Sequence, residues 1–271
     1  MPLDRVAAQP MFNDYLELWR LTPDGEPIAT PTSRLLPVRS GNASAMLKIA
    51  IHDEEKRGNL LMSWWNGRGA APVLAQADNA ILMVRADEEN SLSKIIRGGD
   101  DDEASGIICA VLEKLHAPPN VPLPSLPLLT DWFQSLDRAK AHGGIFAIAS
   151  SVASTLLRNQ REIAVLHGDI HHGNILHFGS SGWLAIDPKG LIGEKYFDYA
   201  NIFCNPDHDT AISPGRLERQ IEVVCEAAKL EPRRLVAWVV AWAGLSAAFC
   251  IEDGQSPDGA LKVAELAAAR L

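Results

Sequence analysis

The sequence predicts an α+β fold: a small antiparallel sheet carrying one helix, then a mostly helical domain with a hairpin set into it. Three observations predict this. Up to about residue 86, short apolar runs alternate with Gly/Pro/Asn turns, the pattern of a meander. Beyond it, apolar residues recur with helical spacing. One strand-turn-strand pattern, from Asn174 to Asp187, interrupts those helices.

In order along the chain, Trp19 to Leu21 leads into the turn Thr22-Pro-Asp-Gly25. Arg34 to Arg39 follows as a strand, then the turn Ser40-Gly41-Asn42 and a third strand, Ala45 to Ile51. Asp53-Glu54-Glu55 opens a helix, because carboxylates favour a first turn, and Asn66-Gly67 stops it after Trp65. Pro72 to Gln76 and Ala80 to Arg85 read as two more strands, giving the order β-β-β-α-β-β. A charged connector, Ala86 to Asn90, separates residues 1–86 from residues 87–271, the two expected domains. In the second, helices are expected over Asp101 to His116, Leu129 to Ala141 and Ile145 to Gln160, with a proline-rich break from Ala117 to Pro127. After the hairpin, helices resume at Ser213-Pro214, where Ser can cap and Pro fits the first helical position, and continue over Leu235 to Ile251 and Pro257 to Leu271.

Composition narrows the function classes. The 271 residues include 25 Lys plus Arg against 34 Asp plus Glu, a net charge of −9, and 47% are apolar, so a folded core is expected and intrinsic disorder is not. With no basic run, the sequence points away from a nucleic-acid partner and towards a cationic or metal-bound ligand. Cys109, Cys204, Cys225 and Cys250 are scattered without a Cys-x-x-Cys pair and read as reduced core residues of a cytoplasmic protein, a monomer or weak dimer. Met1 to Pro10 has no apolar run, so no signal peptide is expected. The uncharged stretch Leu235 to Ile251 approaches the length of a membrane span, but its Ala content, Gly244 and Ser246 favour a buried core helix. Trp64, Trp65, Trp238 and Trp242 are expected in the core.

The most informative segment is His167-Gly-Asp-Ile-His-His-Gly-Asn174. Asp169 and Asn174 lie five apart, a spacing similar to that of the Asp and Asn in a kinase catalytic loop, and Asp187 stands where kinases place a metal-binding Asp. Phosphoryl transfer needs a carboxylate beside the attacking hydroxyl, oxygen ligands for Mg2+ and a cation on the phosphates of ATP. On that pattern Asp169 orients and deprotonates the acceptor, while Asn174 and Asp187 supply oxygens suited to Mg2+, a hard ion. Lys48 lies mid-strand between Leu47 and Ile49, where an unpaired ammonium is costly, so it needs a carboxylate from the next helix, Glu55 in preference to Glu54.

Taken with Ile186-Asp187-Pro188, Gly190, Gly193 and Phe197-Asp198-Tyr199-Ala200-Asn201, this segment resembles the aminoglycoside phosphotransferases. Trp65-Asn-Gly-Arg-Gly-Ala70, Gly182-Trp183-Leu184 and Trp242 to Ala248 are similar, more narrowly, to the streptomycin 6-kinase and hydroxyurea kinase group. The resemblance runs from about Trp19 onward. It implies a protein-kinase-like fold of two lobes and MgATP-dependent phosphorylation of a streptomycin hydroxyl at position 6. Residues 1–86 become the nucleotide-binding lobe, with Val84, Arg85 and Ala86 facing adenine, and residues 87–271 hold the catalytic loop and acceptor site. Asp198 is implied as a carboxylate bonding the catalytic loop, which His167 also supports. Two features depart from the pattern: Ala29 to Arg34 has no glycine where kinases carry a Gly-rich loop, and position 173 is Gly where Glu is expected.

Streptomycin is cationic, so acidic residues of the second half, Asp207, Asp209, Glu252 and Asp253, are candidate acceptor contacts. Other small hydroxylated acceptors, such as hydroxyurea, an amino sugar or choline, fit the same catalytic residues. A two-metal hydrolase built on His167, His171, His172 and His177 with Asp169 and Asp187 lacks most of its expected ligands. A kinase-like binding module without activity is disfavoured by the joint presence of Lys48, Asp169, Asn174 and Asp187.

Overall fold

A computed structural model describes residues 5–87 and 90–271. Met1 to Asp4, and Glu88 and Glu89 of the expected connector, lie outside the described residues. The chain forms two compact units, one of residues 1–90, 119–124 and 176–189, the other of residues 91–118, 125–175 and 190–271.

In the first unit, helix α1 (Arg5–Leu18) precedes six strands: β1 (Thr22–Pro23), β2 (Ile28–Ala29), β3 (Ser33–Ser40), β4 (Ala43–Ala50), then helix α2 (Asp53–Trp65), β5 (Val73–Ala77) and β6 (Ala80–Val84). The sheet is antiparallel, in the order β1-β3-β4-β6-β5 with β2 also on β3. Alternation along β4 sends Ala45, Leu47 and Ile49 into an apolar cluster with Leu36, Val38, Ala80 and Leu82, leaving Lys48 on the opposite face. Phe12 of α1 completes that cluster, with Tyr15, Leu16 and Trp19 against it.

The segment from Trp19 to Leu21, expected as a strand, instead closes α1: the Trp19 N–H donates to Tyr15 O, and Arg20 turns into the left-handed region. The expected turn at Thr22 begins as β1, paired with Arg39 and Val38. Helix α2 has the expected limits, with Asp53, Glu54 and Glu55 in its first turn and Asn66 as a left-handed C-cap. Of the tryptophans, Trp65, Trp238 and Trp242 are buried, whereas Trp64 is half-buried and donates to Val121 O at 3.3 Å.

The second unit starts with α3 (Leu92–Arg97), which was not expected and is capped by Ser91, then α4 (Asp101–His116). The helix expected over Leu129 to Ala141 is broken into α5 (Leu129–Trp132) and α6 (Gln134–Ala139). Its backbone opens at Phe133, whose ring packs against Phe197 and Trp238. Next come α7 (Gly144–Arg158) and strand β7 (Ile163–Leu166). The hairpin of β8 (Ile175–His177) and β9 (Trp183–Ala185) follows, lying from Leu176 onward in the first unit, where Ala185 bridges to Ala70. Strand β10 (Leu191–Glu194) pairs antiparallel with β7.

Helices α8 (Tyr196–Ala200), α9 (His208–Ala211), α10 (Arg216–Ala228), α11 (Pro232–Glu252) and α12 (Asp258–Ala268) complete the chain. The cap expected from Ser213 is displaced. Its hydroxyl donates to Asp209 O at 2.9 Å, so α10 starts at Arg216 behind Gly215. Helix α11 contains the membrane-length stretch and is mostly buried, as a core helix is. All four cysteines are free, Cys109 buried and the others half-buried.

Where α11 meets β10, Glu194 is fully buried and accepts from Arg234 Nη2 at 2.6 Å, Trp238 Nε1 at 2.9 Å and the Arg161 N–H at 2.9 Å. A buried carboxylate is tolerated only with such a complete set of donors. Glu194→Ala strands Arg234 and the indole N–H, so denaturant unfolding is expected to show a loss of about 3 kcal/mol; a change below about 0.5 kcal/mol contradicts this account.

Candidate active site

In the first unit, the face of β4 away from the apolar cluster carries Lys48, 5% exposed. Its ammonium contacts Glu55 Oε2 and Asp187 Oδ1, so two expected site carboxylates meet the expected lysine. The other Glu55 oxygen, Oε1, accepts from Lys189 Nζ at 3.1 Å and from Thr32 Oγ1 at 3.2 Å. Lys189 also reaches Glu54 Oε1 at 3.1 Å. Burial works against the Lys189 ammonium, but Glu55 and Glu54 outweigh it and hold its pKa above the usual lysine range. Neither Lys189 nor Thr32 was found by sequence reasoning; the adjacency of Lys189 to Asp187 was the available signal.

Asp187 sits at φ +63°, a left-handed conformation unusual for a residue with a side chain. Burial pushes its carboxyl up, but Lys48 overcomes this and the net shift is downward, keeping it ionised. The side chain is 40% exposed, so a hydrated cation can reach it. Where kinases carry a Gly-rich loop, the β2–β3 turn is closed by its own hydroxyls: the Ser33 N–H donates to Thr30 Oγ1 at 2.9 Å, and Arg34 Nη1 donates to Thr30 O at 2.6 Å.

At the end of β6, the Val84 N–H donates to Pro72 O at 3.0 Å, and the next N–H, of Arg85, to Ser44 O at 3.2 Å. The Arg85 side chain pairs with Asp24 at 2.8 Å. Asp87, next in the chain, is held at a pKa of about 2 by its hydrogen bond with His177.

In the second unit, the loop after β7 is hung from one buried carboxylate. Asp198, 1% exposed, accepts from the His167 N–H at 3.0 Å and from the Gly168 N–H at 2.9 Å. His116 Nε2 lies 2.9 Å from the same carboxylate, a partner 82 positions away that the sequence did not reveal. Gly168 has φ +86°, which a side chain strongly disfavours, and this turn presents Asp169. Phe197, beside Asp198, is wedged edge-on against Trp242, Trp238, Phe133 and Trp132, which fixes α8 and hence the carboxylate.

Two residues on, the Asp169 N–H donates to His167 Nδ1 at 3.2 Å, which places the His167 proton on Nε2. Asn174 Nδ2 donates to Asp169 O at 2.9 Å. With its nitrogen so engaged, Asn174 offers its amide oxygen as a ligand atom. Asn174 in the second unit and Asp187 in the first each carry a hard oxygen donor, the atom type that Mg2+ prefers. No group of three or more His, Cys, Asp or Glu side chains placed to hold a metal occurs among the described residues. At Gly173, a Cβ would fall 2.9 Å from the His171 ring, whose Nδ1 accepts the Gly173 N–H at 3.0 Å. A Glu at this position requires that ring to move.

Of the acidic acceptor candidates, Asp207 caps α9 through Thr210 N and lines a cleft of about 490 Å³ with Arg97, Asp101, Thr210, Ser213 and Arg216. Glu252 is instead engaged by Arg138 at 2.7 Å and Ser135 at 2.9 Å, and does not line that cleft. Asp209 and Asp253 are exposed and also lie outside its lining.

Residues 18–254 match the family model described as aminoglycoside/hydroxyurea antibiotic resistance kinase. Streptomycin 3''-kinase of Klebsiella pneumoniae is 50% identical over 244 residues, covering 88% of this chain and 92% of that protein. Streptomycin 6-kinase of Streptomyces griseus is 27% identical over 259 residues, covering 88% and 81%. Among solved structures, a thermostable mutant of aminoglycoside phosphotransferase APH(4)-Ia, in a ternary complex with ADP and hygromycin B, superposes with a TM-score of 0.64 at 14% identity, covering 95% of this chain and 96% of that one. The fold is therefore protein-kinase-like, as the resemblance implied.

Between His171 and Gly173, His172 is 3% exposed, and neither ring nitrogen has a hydrogen-bond partner. Burial, reinforced by Arg216 and His171 against the opposing pull of Asp101 and Asp207, pushes its pKa down to about 4. A free histidine titrates near 6.5, so between these values the unfolded chain takes up a proton that the folded chain refuses. Stability is expected to fall as pH drops from about 6.5 to about 4. His172→Gln should flatten that fall in thermal melts, and an unchanged acid slope contradicts the assignment.

Proposed function

The chain belongs to the aminoglycoside/hydroxyurea antibiotic resistance kinase family, and from that premise we propose that it transfers the γ-phosphate of ATP to the 3''-hydroxyl of streptomycin. It is a phosphotransferase with an alcohol group as acceptor, and its acceptor class is the aminoglycosides. The observation that carries the finer reading is the half-identity, across nearly the whole length of both chains, with a streptomycin 3''-kinase. The family resemblance of the sequence implied the 6-hydroxyl. Relatives acting there are only 27% and 28% identical, which moves the proposal to 3'' and leaves position 6 as the second reading.

In this mechanism Asp169 accepts the proton of the attacking hydroxyl, its backbone held by the turn that Asp198 fixes. Lys48 provides the cation for the ATP phosphates and is oriented by its ion pair with Glu55. Asn174 and Asp187 are the residues that would hold Mg2+, which would supply positive charge to offset that of the phosphates. Val84, Arg85 and Ala86 border the adenine. Asp207, exposed on its cleft, attracts the cationic acceptor. The use of ATP goes with a cytoplasmic location.

Asp169→Asn is expected to lower kcat by roughly two to four orders of magnitude while MgATP affinity stays near wild type; retained turnover contradicts the role. The direct test of the acceptor offers MgATP with streptomycin, hydroxyurea, choline and a deoxystreptamine aminoglycoside in parallel, and locates the phosphate by phosphorus–proton NMR. Turnover with streptomycin and phosphate at 3'' is expected. Phosphate at position 6 selects the second reading, and turnover only with another acceptor overturns both.

A further inference from the structure

Lys48 faces two carboxylates at once, Glu55 and Asp187. In the reading above, on which this inference rests, Lys48 turns to the phosphates of ATP and Asp187 to Mg2+. That exchange removes part of what holds Glu55 at the moment its orientation matters.

The two oxygens of Glu55 are divided. Oε2 belongs to Lys48, whereas Oε1 is held by Lys189 at 3.1 Å and Thr32 at 3.2 Å, neither of which touches the bond that must change. Lys189 spans the start of α2 by reaching Glu54 as well. One turn further along the same helix, Gly58 makes an independent contact with the same segment: a Cβ there would lie 2.3 Å from Pro188 O. Glycine inside a helix is unfavourable by itself, and here it allows α2 to approach Pro188 as no other residue could. Lys189 is the next residue. Two contacts of different chemistry, an ion-pair bridge and a side-chain-free approach, thus bind one face of α2 to the residues after Asp187.

We propose that Lys189 is a positioning residue for phosphoryl transfer: it holds Glu55 and the start of α2 on the Asp187–Lys189 segment, so that Lys48 can pass from Asp187 to the nucleotide without losing its orienting carboxylate. Thr32 extends the same hold to the β2–β3 turn. A general structural lysine would affect melting temperature alone. A positioning lysine changes nucleotide handling and leaves the acceptor untouched.

The experiment compares the whole enzyme with Lys189→Met and Lys189→Arg. Amide hydrogen exchange over the first two turns of α2, measured without nucleotide, is expected to accelerate about tenfold in Lys189→Met, the effect of losing one charge-assisted bond. KM for MgATP is expected to rise by about the same factor, with the KM of the acceptor within about twofold of wild type. Lys189→Arg should restore most of both. If Lys189→Met does not fold, Lys189→Gln, which keeps a donor without the charge, is read against the same expectations. Unchanged exchange in α2, or an equal rise in both KM values, overturns the proposal. A wild-type enzyme that turns over none of the acceptors overturns the functional reading instead, and the exchange measurement still decides whether Lys189 holds α2.

Discussion

The site in the first unit depends on a single buried carboxylate. Glu55 is 3% exposed, and an ion so placed is tolerated only if its lost hydration is replaced by charged and polar donors. Lys48, Lys189 and Thr32 supply them from the central strand, the segment after Asp187 and the β2–β3 turn. Each of these elements is consequently tied to helix α2, and the strand and the segment after β9 carry Lys48 and Asp187, which the proposed mechanism uses. The electrostatic requirement of one side chain thereby aligns four pieces of chain.

The second unit applies the same constraint twice. Asp198 gathers two backbone N–H groups and His116, which shapes the turn presenting Asp169. Glu194 gathers Arg234, Trp238 and the Arg161 backbone, which sets α11 against β10. The aromatic contacts around Phe197 complement these polar anchors, because edge-on packing against Trp238 and Trp242 fixes the helix that carries Asp198. Removing the donors from any of these carboxylates costs more than the bond itself, since the charge stays buried.

Acceptor choice rests on a different kind of feature. The net charge of −9 favours a cationic acceptor in general, but Glu252 shows why a count of acidic residues does not identify contacts: its charge is already matched by Arg138. Asp207 remains exposed on a cleft whose other walls include Arg97 and the Asp101–Arg216 pair.

Features whose causes lie within a few residues were legible in the sequence. Helix α2 follows from its acidic first turn and left-handed Asn66, α4 from its apolar spacing, and the Asp169, Asn174 and Asp187 pattern from the chain between them. Even the Lys48–Glu55 pair could be inferred, because an ammonium in an apolar strand demands a nearby carboxylate. Helix α1 was not legible, since its Phe12 gains its environment only when a distant sheet is present to receive it. Nor was the break at Phe133, which an aromatic cluster from other helices imposes. Lys189 and His116 stand 134 and 82 positions from the carboxylates they serve. Local sequence determined which elements form and which residue types do chemistry, but only the tertiary structure decided who partners each buried charge, because desolvation arises when distant segments come together.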